Sequence, residues 1–338
     1  MASTTLSFIL GAVPVLVFLA ALRLMDGYRL VSLRLVALVI VGGGLAAWFC
    51  LSASVSLWWL AKDSRLSVYW LLPLLEEVAK ALVVLLLFWR HRIGFLVDAA
   101  ILGFAAGAGF AIVENLYYAA VLEPMPVAVW VVRGFGTAIM HGGVTAIFAV
   151  LTQLLTERNR RGLRYCLPGL LLALCLHWLF NRFYLSPLAH TLVVVATLPA
   201  LLALVFLRSA RAMHHWLQQD LDSDLALLHL IQSGEVGRSR TGEFLDDLKR
   251  RFEGPVTADM LCYLRLYTEL AMRAKGVLMM REHGFEVGGG EGLDSRLAEL
   301  RYLERSIGRV GMLALRPLLG HDWRNRWQLR LASSLDRG

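Results

Sequence analysis

Long apolar runs fill the first 208 residues of the chain, and short polar stretches separate each run from the next. A helix needs about 20 mostly apolar residues to cross a hydrocarbon core roughly 30 Å thick. None of the runs shows the strict alternation typical of a barrel strand. The pattern therefore predicts seven transmembrane helices. They are expected at residues 5–22, 34–57, 67–89, 94–119, 127–155, 164–185 and 188–208.

In the remaining residues, 209–338, apolar residues recur among polar ones with the spacing of soluble helices. Helical periodicity is clearest at 213–231, 257–281 and 293–315, and it is interrupted by Pro and by a run of three glycines. One helix carries an apolar stripe that is expected to form a core, namely Leu297, Leu300, Leu303 and Ile307. The sequence thus predicts an all-α protein with a seven-span membrane domain at 1–208 and a small helical domain at 209–338.

Composition agrees with a membrane protein, because 57% of the residues are hydrophobic and only 18% are charged. The formal net charge of +8 could indicate nucleic-acid binding. However, residues 1–208 hold 15 Lys and Arg against 8 Asp and Glu, whereas the tail is nearly balanced. The positive surplus belongs to the membrane half, so no nucleic-acid partner is expected. The four cysteines have no paired spacing and predict free thiols.

Loop charges predict the orientation of the spans. Alternate loops carry eleven Lys and Arg on one side and three on the other. Positive loops face the cytoplasm, so the N-terminus is expected outside and the C-terminus inside. The first run has no preceding Lys or Arg and no cleavage site, which favours a retained helix over a signal peptide.

Ionisable side chains occur within four of the predicted spans, where they are costly and often functional. Residues three or four apart share a helix face, so Glu76, Glu77 and Lys80 form one polar stripe and His177 with Asn181 forms another. A rise of about 1.5 Å per residue places these groups between the bilayer centre and its outer face. The full set of candidate site residues is Glu76, Glu77, Lys80, Glu114, Arg133, His141, His177 and Asn181.

Carboxylates and imidazoles that converge in a confined cavity predict hydrolytic chemistry of two kinds. They can bind a divalent metal such as zinc and leave one carboxylate to activate water. They can also work without metal, with a glutamate as the base and an imidazole or the Asn181 amide stabilising the oxyanion. In either case the site supplies the two groups that peptide hydrolysis requires.

Each residue also has a structural interpretation when it is considered alone. A glutamate with Lys80 can be a buried ion pair, Arg133 can neutralise a carboxylate, and a histidine can join two helices by a hydrogen bond. Buried Glu, Lys and His also build ion and proton pathways, so a transporter is one alternative and a non-catalytic membrane scaffold is another. No similarity between the two halves of the chain indicates the repeats that transporters commonly have.

Four motifs resemble those of the PrsW family of intramembrane proteases, which is similar to the wider CPBP superfamily of CAAX prenyl endopeptidases. They are Glu76 to Lys80 (EExxK), Phe110 to Glu114 (FxxxE), His141, and His177 to Asn181 (HxxxN). They occur in family order, and the resemblance covers about residues 60–210. CPBP relatives often have EExxxR and FxxxH. The imidazole that FxxxH supplies to their presumed metal site is replaced here by the carboxylate of Glu114.

The resemblance implies proteolysis of a membrane-anchored protein within the bilayer of a bacterial cytoplasmic membrane, as when an anti-sigma factor is cut on its extracytoplasmic side. It assigns catalytic roles to Glu76, Glu77, Glu114, His141, His177 and Asn181, with Lys80 and Arg133 in support. If a metal is used, its expected ligands are His141, His177 and Glu114. The tail is expected to regulate access, bind a cytoplasmic partner or hold a dimer.

Overall fold

The architecture was taken from a computed structural model, which contains helices and no strand among the residues that it describes. These are residues 4–28, 30–60, 70–121, 125–156, 163–182, 184–233, 240–283, 285, 292–315 and 317–319. The chain divides into two compact units, Met1–Ala210 and Arg211–Gly338.

The helices of the first unit are α1 (Thr4–Leu24), α2 (Leu33–Leu60), α3 (Leu72–Trp89), α4 (Leu96–Val121), α5 (Val127–Val131), a π-helix (Val132–Ala138), α6 (Ile139–Thr156), a 3₁₀ turn (Leu163–Tyr165) and α7 (Leu167–Asn181). Next comes α8 (Pro187–Ser233), which the first unit shares with the second. The second unit then has α9 (Arg240–Arg251), α10 (Gly254–Glu282) and α11 (Leu293–Leu315).

Among the residues that the structure describes, five helical stretches are long and apolar enough to cross a membrane. They are Thr5–Leu24, Leu33–Ser54, Leu96–Val121, Val127–Thr156 and Pro187–Leu217. The third and sixth predicted spans correspond to α3 and α7. The described part of α3 has 18 residues with three ionisable side chains, and α7 has only 15 residues. An integral membrane bundle is therefore established by five helices, and the count of seven stays a prediction.

Helix α4 lies at the centre of the first unit, and every residue from Leu96 to Ala111 is buried. Small residues let its neighbours approach closely, as in other membrane helix pairs. A Cβ atom added at Gly107 would lie 2.2 Å from the carbonyl oxygen of His141 on α6, and one at Gly109 would lie 2.0 Å from that of Ile40 on α2. The glycines thus set the spacing at which α6 holds His141 beside α4.

Replacing Gly107→Ala is expected to destabilise the protein, because the added methyl group collides with the backbone of α6. Overpacking of this kind costs about 1–3 kcal/mol. Thermal unfolding in detergent, followed by circular dichroism, measures the loss. Gly276→Ala is the control, since a Cβ there meets no atom within 4 Å and α10 gains up to about 1 kcal/mol of helix propensity. Equal stability of Gly107→Ala and wild type would refute the close contact.

Two predicted elements differ in detail. The span expected at 127–155 is helical throughout, but residues 132–138 form a π-helix between α5 and α6. The seventh span and the first tail helix were expected to be separate, whereas α8 continues from Pro187 to Ser233. Helical geometry does not require a break where apolar sequence changes to amphipathic sequence, and no Gly or Pro interrupts residues 200–233.

The second unit has a core of its own between α10 and α11. The predicted stripe Leu297, Leu300, Leu303 and Ile307 is buried there, which confirms that face of α11. Lys275 is also buried and donates a hydrogen bond of 2.7 Å to Asp224. An ion pair of this kind satisfies a charge that would otherwise be costly to bury.

Candidate active site

A cavity of about 290 Å³ opens where several helices of the first unit end. Glu76 lies four residues after the start of α3, Glu114 seven before the end of α4, and His177 four before the end of α7. At about 1.5 Å per residue, these side chains are roughly 6–10 Å from the helix ends. The lining residues are Leu72, Pro73, Glu76, Glu114, Tyr118, Arg133, Thr137, His141, His177, Trp178, Phe180, Asn181 and Arg182.

The two adjacent glutamates of α3 point in different directions, because consecutive helical residues differ by about 100° around the axis. Glu76 lines the cavity, whereas Glu77 is 2% exposed and lies behind it. Glu77 Oε1 accepts a hydrogen bond of 2.5 Å from Lys80 Nζ one turn later on α3. The pair was predicted as one catalytic group, and the structure separates it into a cavity residue and a supporting residue.

Glu77 also fixes the orientation of His177 on α7. The distance from His177 Nδ1 to Glu77 Oε1 is 2.6 Å. A carboxylate only accepts, so Nδ1 carries a proton and donates a hydrogen bond to Glu77. The neutral ring then has a lone pair on Nε2, which lies 3.7 Å from Glu76 Oε2. Carboxylate–histidine pairs of this kind orient metal-binding imidazoles in many proteins.

Lys80 contacts the second imidazole, that of His141, and favours the opposite tautomer. Its ammonium group is fully buried and donates a hydrogen bond of 2.9 Å to Nδ1 of His141 on α6. In the neutral ring, the proton therefore lies on Nε2, which is 3.3 Å from Glu114 Oε2. The rings of His141 and His177 are nearly perpendicular, with centroids 4.8 Å apart. Lys80 thus contacts His141 directly and is connected to His177 through Glu77.

One group of donor atoms is compact enough to hold a metal ion. Glu76, His141 and His177 each offer a ligand atom, and these atoms lie within 4.8 Å of one another. Two imidazoles and one carboxylate are a common ligand set for catalytic zinc. The sequence predicted Glu114 as the third ligand, whereas Glu76 completes this group. The donor types and the Nε2 lone pair of His177 both fit a divalent metal, and His141 would bind through Nε2 as its other neutral tautomer, in which Nδ1 carries the proton and no longer accepts from Lys80.

Glu114 lies beside that group and keeps one oxygen available. Its Oε1 is 3.5 Å from Arg133 Nη2, which compensates the charge of the carboxylate. Its Oε2 is buried and lies 3.3 Å from His141 Nε2, outside good hydrogen-bond geometry with any described residue. A buried polar atom without a partner is costly unless a ligand or water completes it. The Glu114 carboxylate is thus positioned to accept a proton within the cavity.

The π-helix brings Arg133 and Thr137 to the cavity wall. Single π-turns within longer helices are frequent at functional sites. The periodicity of the span did not predict this feature, because an inserted residue shifts the register without changing the hydropathy. Gly134 and Gly136 lie within the turn and were the only local signal that this segment packs unusually closely.

Other cavity residues were not singled out by the sequence. Tyr118 follows Glu114 by four residues and Arg182 follows Trp178 by four, so helical spacing could have identified both. At the rim, the rings of Trp70 and Trp178 are 4.2 Å apart, and the Arg182 guanidinium lies 4.3 Å from the Trp178 ring. Asn181, which the sequence did predict, also lines the cavity.

The structure therefore brings the predicted residues of four helices to one place. Glu76, Glu114, Arg133, His141, His177 and Asn181 line the cavity, and Glu77 and Lys80 lie directly behind it. Their catalytic roles stay predictions. A comparison with protein-family models matches residues 31–207 to the model described as PrsW family intramembrane metalloprotease. No significant match to a curated protein or to a solved structure was found.

Proposed function

Because the chain belongs to the PrsW family of intramembrane metalloproteases, it is an intramembrane protease, and we propose that it cuts a membrane-anchored protein at the cavity between α3, α4, α6 and α7. The observation that carries this assignment is the group of donor atoms of Glu76, His141 and His177 beside the buried carboxylate of Glu114. Family membership favours proteolysis over the transporter and scaffold alternatives, and no described feature favours either of those.

In this mechanism Glu76, His141 and His177 would hold the divalent metal. When bound, such an ion acts as a Lewis acid and lowers the pKa of a water molecule in the site. Glu77 and Lys80 keep the two imidazoles in place from behind. Neither residue reaches the cavity, so both are positioning residues. The zinc-like ligand set supports zinc as the metal, although other divalent ions bind the same donors.

Glu114 acts as the general base. Its Oε2 takes a proton from the attacking water while the water oxygen bonds to the carbonyl carbon of the substrate. The C–N bond then breaks, and Glu114 returns the proton to the departing amine nitrogen. The side-chain amide of Asn181 lines the same cavity and can donate a hydrogen bond to the developing oxyanion.

We infer that the chain crosses the membrane seven times, with α3 and α7 among the spans. The cavity then lies in the outer half of the bilayer. In a bundle that spans the membrane seven times with the N-terminus outside, the start of α3 and the ends of α4 and α7 all face outward. The loop charges support this orientation and place residues 211–338 in the cytoplasm, where they are available to a partner. Trp70, Trp178 and Arg182 at the rim are residue types that prefer the membrane interface.

The substrate class that follows is a protein with one transmembrane helix whose outer juxtamembrane segment can unfold into the cavity. An anti-sigma-factor-like regulator is one such protein. The rim can contact the polar flank of the segment while the bilayer holds its apolar part.

Purified protein is expected to cut a single-span reporter within or just outside the outer half of its transmembrane helix. Mass spectrometry of the fragments gives the position of the cut. Chelation with 1,10-phenanthroline should stop cleavage, and added zinc should restore it. A cut on the cytoplasmic side of the reporter helix would contradict the proposed location, and cleavage by thoroughly metal-free protein would contradict the proposed metal.

A further inference from the structure

Helix α1 lies outside the residues that match the family, which begin at residue 31, yet it packs directly against the π-helix that contributes to the cavity wall. Pro14 has no N–H to donate to the carbonyl group of Leu10 one turn earlier. The π-helix approaches this part of α1 at Gly134, where an added Cβ would lie 1.8 Å from the Leu10 oxygen and 3.2 Å from Pro14 Cγ. The contact admits glycine alone.

A chain of hydrogen bonds runs from α1 to the cavity through α4. The Asn115 amide donates from Nδ2 to the carbonyl oxygen of Gly11 at 2.8 Å. Its Oδ1 accepts a hydrogen bond of 2.8 Å from Nε of Arg133 in the π-helix. Asn115 is 3% exposed, so it bridges the two helices in a site that excludes water. Because α1 fixes the amide through Gly11, the acceptor for Arg133 has one defined direction.

Arg133 is held on its other sides as well. Its guanidinium lies 4.1 Å from the centroid of the Tyr118 ring, and its Nη2 lies 3.5 Å from Glu114 Oε1. A planar guanidinium that is stacked on a ring and bonded through Nε can present its remaining N–H groups in only one direction. That direction is the carboxylate to which we assign the general-base role.

We propose that α1 contributes to the active site: through Gly11, Asn115 and Arg133 it positions the Glu114 carboxylate for proton transfer. The inference rests on the proposed function of Glu114. Asn115 does not reach the cavity and is a positioning residue; Arg133 lines the cavity, and its role in this proposal is to position Glu114. A shift of about 1 Å in a reacting group can cost 10²-fold in rate, so a side chain held on only one side would be a poor base.

The experiment compares Asn115→Leu, Arg133→Gln and the double variant with wild type on a fluorogenic single-span reporter in detergent. Each single change is expected to lower kcat by about 10–100-fold with KM nearly unchanged, because the network acts on the position of Glu114 in the transition state. The double variant should lose no more than the worse single variant, since the residues act as a unit. Arg133→Lys should stay impaired, because lysine keeps the charge but lacks the planar fork.

A further pair of variants tests the contribution of α1 itself. Gly134→Ala pushes the π-helix away from Leu10 and should lower kcat as Asn115→Leu does, whereas Gly27→Ala, where a Cβ meets no atom within 4 Å, should match wild type. Cleavage by wild type is established first, so its absence would count against the proposed function alone. With an active wild type, strictly additive losses, or a change confined to KM, would overturn the positioning network.

Discussion

Glu114→Gln is expected to lower kcat by about 10²–10⁴-fold, the range by which a general base accelerates proton transfer. The amide is nearly the same size as the carboxylate but cannot take a proton from water. Because Glu114 lies outside the group of donor atoms formed by Glu76, His141 and His177, the metal content should be unchanged. Single-turnover cleavage of the reporter, together with metal analysis of the same sample, measures both quantities.

The control for this substitution is Glu269→Gln in the second unit, where the carboxylate lies 3.2 Å from Arg296 and far along the chain from the motifs. It should cleave the reporter as wild type does. Loss of metal in Glu114→Gln would instead return Glu114 to the ligand set that the sequence predicted. Cleavage within a factor of about three of wild type would remove it from proton transfer altogether.

The membrane bundle and the members of the site could largely be predicted from the sequence, because both depend on local patterns. Five apolar runs match five helices that can span a membrane, with ends displaced by a few residues apart from the last run, which continues into the tail. Ionisable residues within apolar runs are rare enough to identify the site by themselves. The spacing of Glu76 and Lys80, and that of His177 and Asn181, then gives the face on which each motif lies.

The role of each residue within the site could not be predicted, because it depends on contacts between helices. Glu76 and Glu77 are equivalent in sequence, and only the positions of His177 and His141 show which one faces the cavity. For the same reason the sequence could not distinguish Glu114, which it predicted as the third metal ligand, from Glu76, which we propose. The contribution of α1 was also missed, because a backbone carbonyl such as that of Gly11 leaves no signal in the sequence.

The separation of the two glutamates makes the predicted consequences of their loss different in kind. Glu77 is 2% exposed and compensates Lys80, which is completely buried. Removing one partner of a buried ion pair leaves an uncompensated charge and costs about 3–5 kcal/mol. Glu76 instead faces the cavity. When glutamine replaces it, water can take over the interactions that the carboxylate made.

Glu77→Gln is therefore expected to lower the free energy of unfolding by about 3–5 kcal/mol, whereas Glu76→Gln should change it by less than about 1 kcal/mol and yet lose metal and cleavage. Titration with SDS in mixed micelles measures the unfolding, and metal analysis measures the loaded fraction. The control is Glu77→Gln combined with Lys80→Met, which removes both charges and should recover part of the lost stability. If Glu76→Gln and Glu77→Gln lower the free energy of unfolding equally, the two carboxylates are equivalent. The assignment of Glu77 as a positioning residue behind the cavity is then wrong.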